Sequence, residues 1–364
     1  MNSDQTSGSV RVGAIDCGTN SIRLLVADVD ATESSEDAGG SQVPGLHDVV
    51  REMVITRLGQ GVDRTGILDP EAIERTLAVT KDYQNQIDEL GVQRSRFVAT
   101  SASRDARNRD VFVEGVRRIT GADPQVISGT EEAHLSFTGA LSALPAGLAG
   151  PYMVVDIGGG STEFVLGVAG SHGGAVRQSI SVDMGSVRVT ERFASTDPDL
   201  PQWGAENLAR AREWIDAKLD QAQQTVDFAS ARTVIGVAGT VTSIAAFIAG
   251  VHLYSPSVTH GLIPTPRQWA DAINFMIEEP IADKAALGFM PLGRADVIGG
   301  GALVWERVLV RLGILPSGAD EGSASEGSRD GTNEAGNSHA RVSAVVSEHD
   351  ILDGLALSLA QPAR

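Results

Sequence analysis

The stretch Tyr152-Met-Val-Val-Asp-Ile-Gly-Gly-Gly-Ser-Thr-Glu-Phe-Val-Leu166 restricts what this chain can fold into more than any other. An apolar run from Met153 to Val155 ends in Asp156, turns through Gly158, Gly159 and Gly160, and returns to apolar sequence at Phe164. The pattern predicts a β-hairpin whose tip carries no side chain for three residues, followed by Ser161 and Thr162. Successive glycines let backbone N–H groups converge, and such nests hold anionic oxygens. Asp156 and Glu163 flank the tip with carboxylates, which suit a hard cation such as Mg²⁺. A phosphate site with a metal is the functional expectation; for this stretch alone, a plain hairpin with a flexible tip explains the residues equally well.

The same grammar recurs near the N-terminus in Val10-Arg-Val-Gly-Ala-Ile-Asp-Cys-Gly-Thr-Asn-Ser-Ile-Arg-Leu-Leu-Val-Ala-Asp28. An apolar strand ends in Asp16, a small polar tip follows (Gly18, Thr19, Asn20, Ser21), and a second strand begins at Ile22. Two copies about 140 residues apart predict a duplicated fold with paired phosphate loops. A third loop, Val234-Ile-Gly-Val-Ala-Gly-Thr-Val-Thr-Ser243, runs strand, glycine-rich turn, helix, and adds Gly239 and Thr240 to the candidate phosphate contacts. Chance hairpins are not expected as an ordered set.

With these motifs in place the chain resembles the exopolyphosphatase and guanosine pentaphosphate phosphohydrolase family, within the superfamily of actin, sugar kinases and heat-shock chaperone ATPases. The residues that carry the resemblance are Asp16-Cys-Gly-Thr-Asn-Ser-Ile-Arg23, Ala99-Thr-Ser-Ala-Ser-Arg-Asp-Ala-Arg-Asn108, Ile127-Ser-Gly-Thr-Glu-Glu-Ala133, Asp156-Ile-Gly-Gly-Gly-Ser-Thr-Glu163, Gly236-Val-Ala-Gly-Thr240 and Arg294-Ala-Asp-Val-Ile298. They lie in the family's order across nearly the whole chain. The resemblance implies an α/β fold of two actin-like (ribonuclease H-like) domains, each of βββαβαβα type, with the active site in the cleft between them.

The strand and helix pattern agrees with a mixed sheet covered by helices. Strands are predicted at 10–16, 22–29 and 49–57. A helix opens at Asp69-Pro70, a good N-cap followed by a proline suited to the first turn. A strand at 96–100, a helix over 104–120, a strand at 125–128 and a helix from Gly129 complete the first half. The second half repeats it: strands near 152–157, 162–169 and 175–182, helices between 185 and 226, a strand near 232–238 and a helix from Thr240. A helix around 294–312 and a final strand and helix over 342–359 close the chain. The domain expectation is a disordered tail at 1–9, a first domain at 10–133 and a second at 134–345. Residues 346–364 then form a helix packing back on the first domain. The polar, acidic loop 31–41 is expected to be mobile, and the insertion 317–341 has too little apolar surface to offset the entropy of ordering, so it is expected to be disordered.

Composition restricts the partners. A single cysteine, Cys17, excludes an internal disulfide and fits a reducing compartment. The start lacks a signal-peptide pattern, so a cytoplasmic protein is expected. The uncharged run 233–266 is long enough on paper to span a bilayer, but its glycines, hydroxyls and change of period predict a buried strand, loop and helix instead. No membrane and no DNA are expected as partners, and a homodimer is left open. The net charge of −18 disfavours long-range attraction to a polyanion. Seven arginines between Arg94 and Arg118, against Asp105, Asp110 and Glu114, leave local capture as an expectation, with a solvated helix face as the plain alternative.

Hydrolysing a phosphoanhydride needs charge neutralisation on the phosphoryl oxygens, a positioned water and a group to take its proton. Glu131 and Glu132 open a helix directly after Ser128-Gly129; consecutive helical residues point about 100° apart, so one of them faces a cleft, or both simply cap the helix. The resemblance selects Glu132 as the base that activates water. It implies Asp16 and Asp156 as metal carboxylates, with Glu163 as a second ligand or water-positioning group for Mg²⁺ or Mn²⁺. It implies phosphate contacts from Gly18, Thr19, Asn20 and Ser21, from Gly158, Gly159, Gly160, Ser161 and Thr162, from Arg104 and Asn108, and from Arg23 towards a nucleotide or a longer chain. His134 and His260 are expected to be core or hydrogen-bonded histidines rather than catalysts, and the His349-Asp350 pair to serve a helix N-terminus.

The implied partners are inorganic polyphosphate and, as the alternative, guanosine pentaphosphate or tetraphosphate. No glycine-rich Walker loop precedes Lys81, Lys218 or Lys284, and no Gly-x-Ser-x-Gly elbow occurs. An ATP-dependent kinase of the same superfamily, or a protein that senses the alarmone without turnover, are the rivals.

Overall fold

The apolar run at the N-terminus becomes β1 (Ser9–Cys17), paired antiparallel with β2 (Ser21–Asp30), which pairs antiparallel with β3 (Leu46–Ile55). This computed structural model describes residues 9–30, 44–170, 174–197, 200–316 and 342–360. Of the expected tail, acidic loop and insertion, only Ser9 falls among them. After α1 (Val62–Thr65) and α2 (Pro70–Glu89), β4 (Arg94–Ala99) returns parallel to β1. Then come α3 (Ser101–Asp105), α4 (Arg109–Thr120) and β5 (Gln125–Val126), which closes a five-stranded sheet of order β3-β2-β1-β4-β5.

The chain leaves this sheet through α5 (Gly129–Ser142) and repeats the plan. β6 (Tyr152–Ile157), β7 (Thr162–Val168) and β8 (Ala175–Val182) form an antiparallel meander. α6 (Ser186–Phe193) and α7 (Ala205–Gln223) lead to β9 (Thr233–Val237), which is parallel to β6. Next are α8 (Ala238–Ile248), α9 (Pro256–Thr259), α10 (Pro266–Glu278), α11 (Ile281–Ala285) and α12 (Ile298–Arg311). β10 (Ser343–Val346) and α13 (Ile351–Ala360) end the described chain. The second sheet has the order β10-β9-β6-β7-β8, the same topology as the first, so the duplicated βββαβαβα plan is present in both domains.

Each sheet is covered on both faces. On the first, Ile15, Ile22 and Leu24 meet Ile73, Tyr83, Phe112 and Val116 of α2 and α4. Its other face (Val12, Ala14, Leu25, Ala27) meets Ile351, Leu352 and Leu355 of α13. On the second, Val155 and Phe164 meet Ile215, Ile244, Trp269 and Trp305 from α7, α8, α10 and α12, while Val154 and Val165 meet Ala133 and Phe137 of α5. The helix following the first sheet thus lies on the second, and the last helix lies on the first.

These two exchanged helices touch backbone to backbone. A Cβ on Gly139 would sit 1.8 Å from the Asp350 carbonyl oxygen, and one on Gly354 would sit 1.9 Å from that of Leu135. Only glycine permits this approach.

Local sequence signals explain several boundaries. The Asp69 side chain accepts from the N–H groups of Glu71 and Ala72, with Pro70 in the first turn of α2. Ser128 accepts from Glu131 N and starts α5. The expected helix over 104–120 is instead two helices, because Ala106 is extended. Asn108 explains the break: its amide exchanges hydrogen bonds with the N–H and carbonyl of Leu68 at 2.8 and 2.9 Å, tying this turn to the one before α2. Between 267 and 293 the sequence pattern predicts no element, yet α10 runs through Glu278 and carries a complete capping box from Thr265 and Gln268. The uncharged run 233–266 forms β9, α8 and α9, with Val234, Ile235, Val241 and Ile244 buried; among the described residues no helix is long and apolar enough to cross a membrane.

Candidate active site

A cavity of about 110 Å³ lies where the two sheets present corresponding hairpin tips to each other. The tips are built alike. Gly18 N donates to Ser21 O at 2.9 Å in the first, and Gly158 N donates to Ser161 O at 3.0 Å in the second. Register places Asp16 opposite Arg23 across β1–β2 and Asp156 opposite Glu163 across β6–β7. The duplicated position therefore carries an acid pair in one domain and an ion pair in the other.

The tips meet at close range. Thr19 and Ser101 share a hydroxyl–hydroxyl hydrogen bond of 2.8 Å, and a Cβ on Gly160 would approach both oxygens to 2.7 Å. Side-chain-free residues are thus required at the second tip for the domains to close on one another. Across the same mouth, Arg188 pairs with Asp63 and with Asp105, the latter at 2.7 Å, and Arg57 pairs with Asp296 at 2.7 Å.

Of the residues singled out in the sequence, Asp16, Gly18, Thr19, Asn20, Ser21, Arg23, Glu132, Asp156, Gly158, Gly159, Ser161, Gly239 and Thr240 line this cavity. Five others are placed differently. Asn108 holds the Leu68 backbone. Thr162 is fully buried and donates to the Met184 carbonyl. Gly160 stands at the contact between tips. Arg104 lies behind Glu132, donating to its Oε2 at 2.8 Å and to Ile127 O at 3.0 Å. Glu163 is 1 % exposed and receives the Ser181 hydroxyl at 2.7 Å, one layer behind the wall.

The two glutamates of α5 separate as helical geometry requires. Glu131 is directed to Arg96, part-exposed, whereas Glu132 is buried at the cavity. Burial, with Asp16 and Asp156 nearby, pushes the Glu132 carboxyl up to about 7 against the opposing pull of Arg104. Burial and Asp350 push Asp156 up to about 7, opposed by the hydrogen bond from Ser136. Glu163 is raised well above the usual range by burial, then by Glu132 and Asp156. Asp16 is raised by burial although Arg23 donates to its Oδ2 at 2.6 Å. Carboxylates this crowded hold protons or attract a cation.

Other functional residues escaped the sequence reading. Asp350 starts α13, accepting from Leu352 N at 3.0 Å as expected of a helix N-terminus, but its second oxygen also takes Arg23 from the first sheet. Arg294 is half-buried on the cavity wall, donates to Ser243 Oγ at 3.0 Å, and has its charge disfavoured by desolvation. Its position inside the Arg294–Ile298 motif was the available signal. Ala238 adopts φ 64° beside the cavity, a left-handed conformation uncommon for a residue with a Cβ. The seven arginines of 94–118 are already engaged within the molecule: Arg96 with Gln125 and Glu131, Arg104 with Glu132, Arg107 with Thr65 O, Arg117 with Glu114 and Asp123, and Arg109 and Arg118 against Asp110 and Glu114. Arg94 reaches Leu359 O. Arg94, Arg107, Arg109, Arg117 and Arg118 remain exposed, the last three beside carboxylates. His260 binds the Ala143 carbonyl at 2.7 Å, away from the carboxylates, and His134 is exposed.

Two domains of one topology, facing matched hairpin tips across a cleft, define the actin-like class. Within it, the chain belongs to the Ppx/GppA phosphatase family, which residues 34–332 match. It is 43% identical over 356 residues to exopolyphosphatase 2 of Mycobacterium tuberculosis, covering 96% of this chain and 98% of that one. A crystal structure of an exopolyphosphatase-like protein superposes with a TM-score of 0.80 at 39% identity, covering 96% and 97% of the two chains. The Ppx-GppA enzyme of Aquifex aeolicus gives 0.68 at 29% identity, covering 96% of this chain and all of that one (100%).

Proposed function

We propose that this chain releases terminal orthophosphate from inorganic polyphosphate by attack of a water molecule that Glu132 deprotonates. The observation that carries the reading is Glu132 itself: a buried carboxylate of raised basicity, on the wall of a cavity between two phosphate-type hairpin tips. A general base tuned to about 7 works near neutral pH. The N–H groups and hydroxyls of the tips, from Thr19, Ser21 and Ser161 among others, receive the phosphoryl oxygens. The water oxygen bonds to phosphorus, its proton passes to Glu132, and the bond to the penultimate phosphate breaks. Arg104 fixes one oxygen of Glu132 at 2.8 Å and leaves the other for water.

The residues fit a divalent cation, Mg²⁺ or Mn²⁺. Asp16 Oδ1 and Asn20 Oδ1 are buried without a protein hydrogen-bond partner, on the wall that also carries Asp156. Among the described residues no three carboxylates, histidines or thiols form a ready-made cage. That suits an ion held by one or two carboxylates, with water and substrate phosphate completing the shell. Asp16 and Asp156 would hold it; Glu163, one layer back, is the weaker member of the set. The ion would neutralise charge on the phosphoryl group.

A second reading, hydrolysis of guanosine pentaphosphate, is favoured by one feature. A second cavity of about 400 Å³ adjoins the first, sharing Arg23, Ala238, Gly239 and Arg294, and is walled by Tyr254, Phe289, Pro291 and Leu352. Its size and apolar walls suit a nucleoside. Orthophosphate release with Mg²⁺ from polyphosphate and from guanosine pentaphosphate, measured side by side, tests both. Product formation that requires ADP would instead mean a kinase, and alarmone binding without release would mean a sensor.

A further inference from the structure

Ser136 follows Glu132 by one helical turn on α5 and is fully buried. A serine or threonine inside a helix usually returns its hydroxyl to the carbonyl four residues back. Thr76, Thr80, Thr138, Thr190 and Ser243 all do so here. Ser136 does not: its Oγ donates to Asp156 Oδ2 at 2.6 Å, across the gap between α5 and the second sheet. That length is typical of an O–H···O⁻ bond, which is stronger than a neutral one. Among the hydrogen bonds of the described residues, this is the one made by the Asp156 side chain. It occupies one carboxylate oxygen from behind, while Asp156 still lines the cavity with the remainder.

We propose that Ser136 is a positioning residue that aims the free oxygen of Asp156 at the cleft, so that one helix sets both the water-activating glutamate and the metal carboxylate. This rests on the reading of Asp156 as a ligand. It gives α5 two functional groups at i and i+4, which face the same side of a helix. The Gly139–Asp350 contact, three residues further on, fixes that helix against α13. The hydroxyl thereby links the metal side of the site to the base side, and Asp156 needs no direct bond to Glu132.

The test measures Mn²⁺ binding to the substrate-free chain by electron paramagnetic resonance of the free ion, in parallel with kcat and the Mn²⁺ activation constant on polyphosphate. Outer-shell partners of metal ligands are typically worth about ten- to a hundred-fold in affinity. Ser136→Ala should weaken Mn²⁺ binding by that much, with a smaller fall in kcat at saturating Mn²⁺. Ser136→Thr, which keeps a hydroxyl donor, should recover part of the loss. In an Asp156→Asn background, Ser136→Ala should add nothing, and this comparison keeps the idea falsifiable if the threonine is too large to fit. Unchanged Mn²⁺ affinity in Ser136→Ala, or an equal loss in the Asp156→Asn background, would overturn the role. A wild-type chain that binds no Mn²⁺ would also overturn it, whatever its activity. If wild type releases no phosphate while Mn²⁺ binding still depends on Ser136, the hydrolase reading fails and the positioning role stands.

Discussion

Arg104 and Glu132 form a 2.8 Å ion pair that crosses from the helix after β4 to the helix that leads out of the first sheet. The pair holds the carboxylate while leaving burial to dominate its proton affinity. Glu132→Gln keeps size and hydrogen-bonding reach but cannot accept a proton. Phosphate release should fall by about 10²–10⁴-fold, the usual worth of a general base, with substrate binding retained. Glu131→Gln, whose partner is Arg96 at the surface, should stay within a few-fold of wild type. Equal losses in the two variants, measured as initial rates, would remove Glu132 from the role of base.

Arg104→Lys tests the same pair from the other side. A lysine keeps the charge, but its shorter stem ends in a point charge rather than the planar guanidinium whose single Nη1 donates to both Glu132 and Ile127 O. The rate should fall less than in Glu132→Gln, by about tenfold, because the base remains. A rate equal to wild type would show that Arg104 does not orient Glu132.

How much of this was legible from sequence depends on whether the signal was local. The two hairpins were readable because Asp156 and three glycines, or Asp16 and a small polar tip, are contiguous in the chain. The duplicated topology followed from their spacing and from the strand pattern. Ser136 was invisible because its partner lies 20 residues away and on another element. Asn108 belonged to a readable motif, yet what its amide binds is a tertiary fact, and so is the helix break that it holds. The capping box of α10 is contiguous in Thr265–Gln268, but it follows an uncharged stretch whose apolar pattern marks no helix start there.

The crossing of α5 and α13 should be intolerant of any side chain. Gly139→Ala places a methyl 1.8 Å from a backbone oxygen, which cannot rotate away as a side chain would. The helices would have to separate, at a cost of roughly 1–3 kcal/mol or more. Thermal unfolding should show a clearly lowered melting temperature. Gly313→Ala provides a weaker comparison: it has open space around its Cβ position and suffers only from its φ of 69°. Equal melting temperatures for Gly139→Ala and wild type would mean that the two helices do not meet backbone to backbone.

Salt should act through the net charge of −18. Of the arginines of 94–118, Arg96 and Arg104 are turned to buried or half-buried glutamates, and Arg109, Arg117 and Arg118 stand beside surface carboxylates, which weakens what they offer against repulsion of a polyanion. Moderate monovalent salt should therefore raise kcat/KM on polyphosphate by screening that repulsion over a Debye length of about 10 Å at 0.1 M. A fall from the lowest salt upward would point to a free cationic entry.

Removal of divalent cations should give the chain a distinctive pH profile of stability. Glu132 and Asp156 have folded-state values of about 7, above their ordinary 4.5 and 3.8, because both are buried among other acids. The folded chain thus binds protons that the unfolded chain has already released. The stability these groups contribute is fully present below their ordinary values and is lost as pH rises through about 7. Lys284, lowered to about 8 by burial, works in the opposite sense, but only above that pH. Asp353, lowered to about 2, matters only in strong acid. His349, raised above its ordinary 6.5 by its bond to Asp353, adds to the carboxylate trend only as pH rises beyond 6.5, while His260, lowered by burial, opposes it below that value. The melting temperature of the metal-free chain should accordingly fall by several degrees between pH 5.5 and 7.5. Asp156→Asn, which removes one of the titrating groups without touching His349, should flatten that slope. Mg²⁺ should raise the melting temperature at pH 7.5 more than at pH 5.5, since it binds the deprotonated carboxylates and stabilises the state that holds them. A metal-free chain equally stable at both pH values, with no greater Mg²⁺ effect at the higher one, would show that the cleft carboxylates are not the crowded, proton-holding group described here.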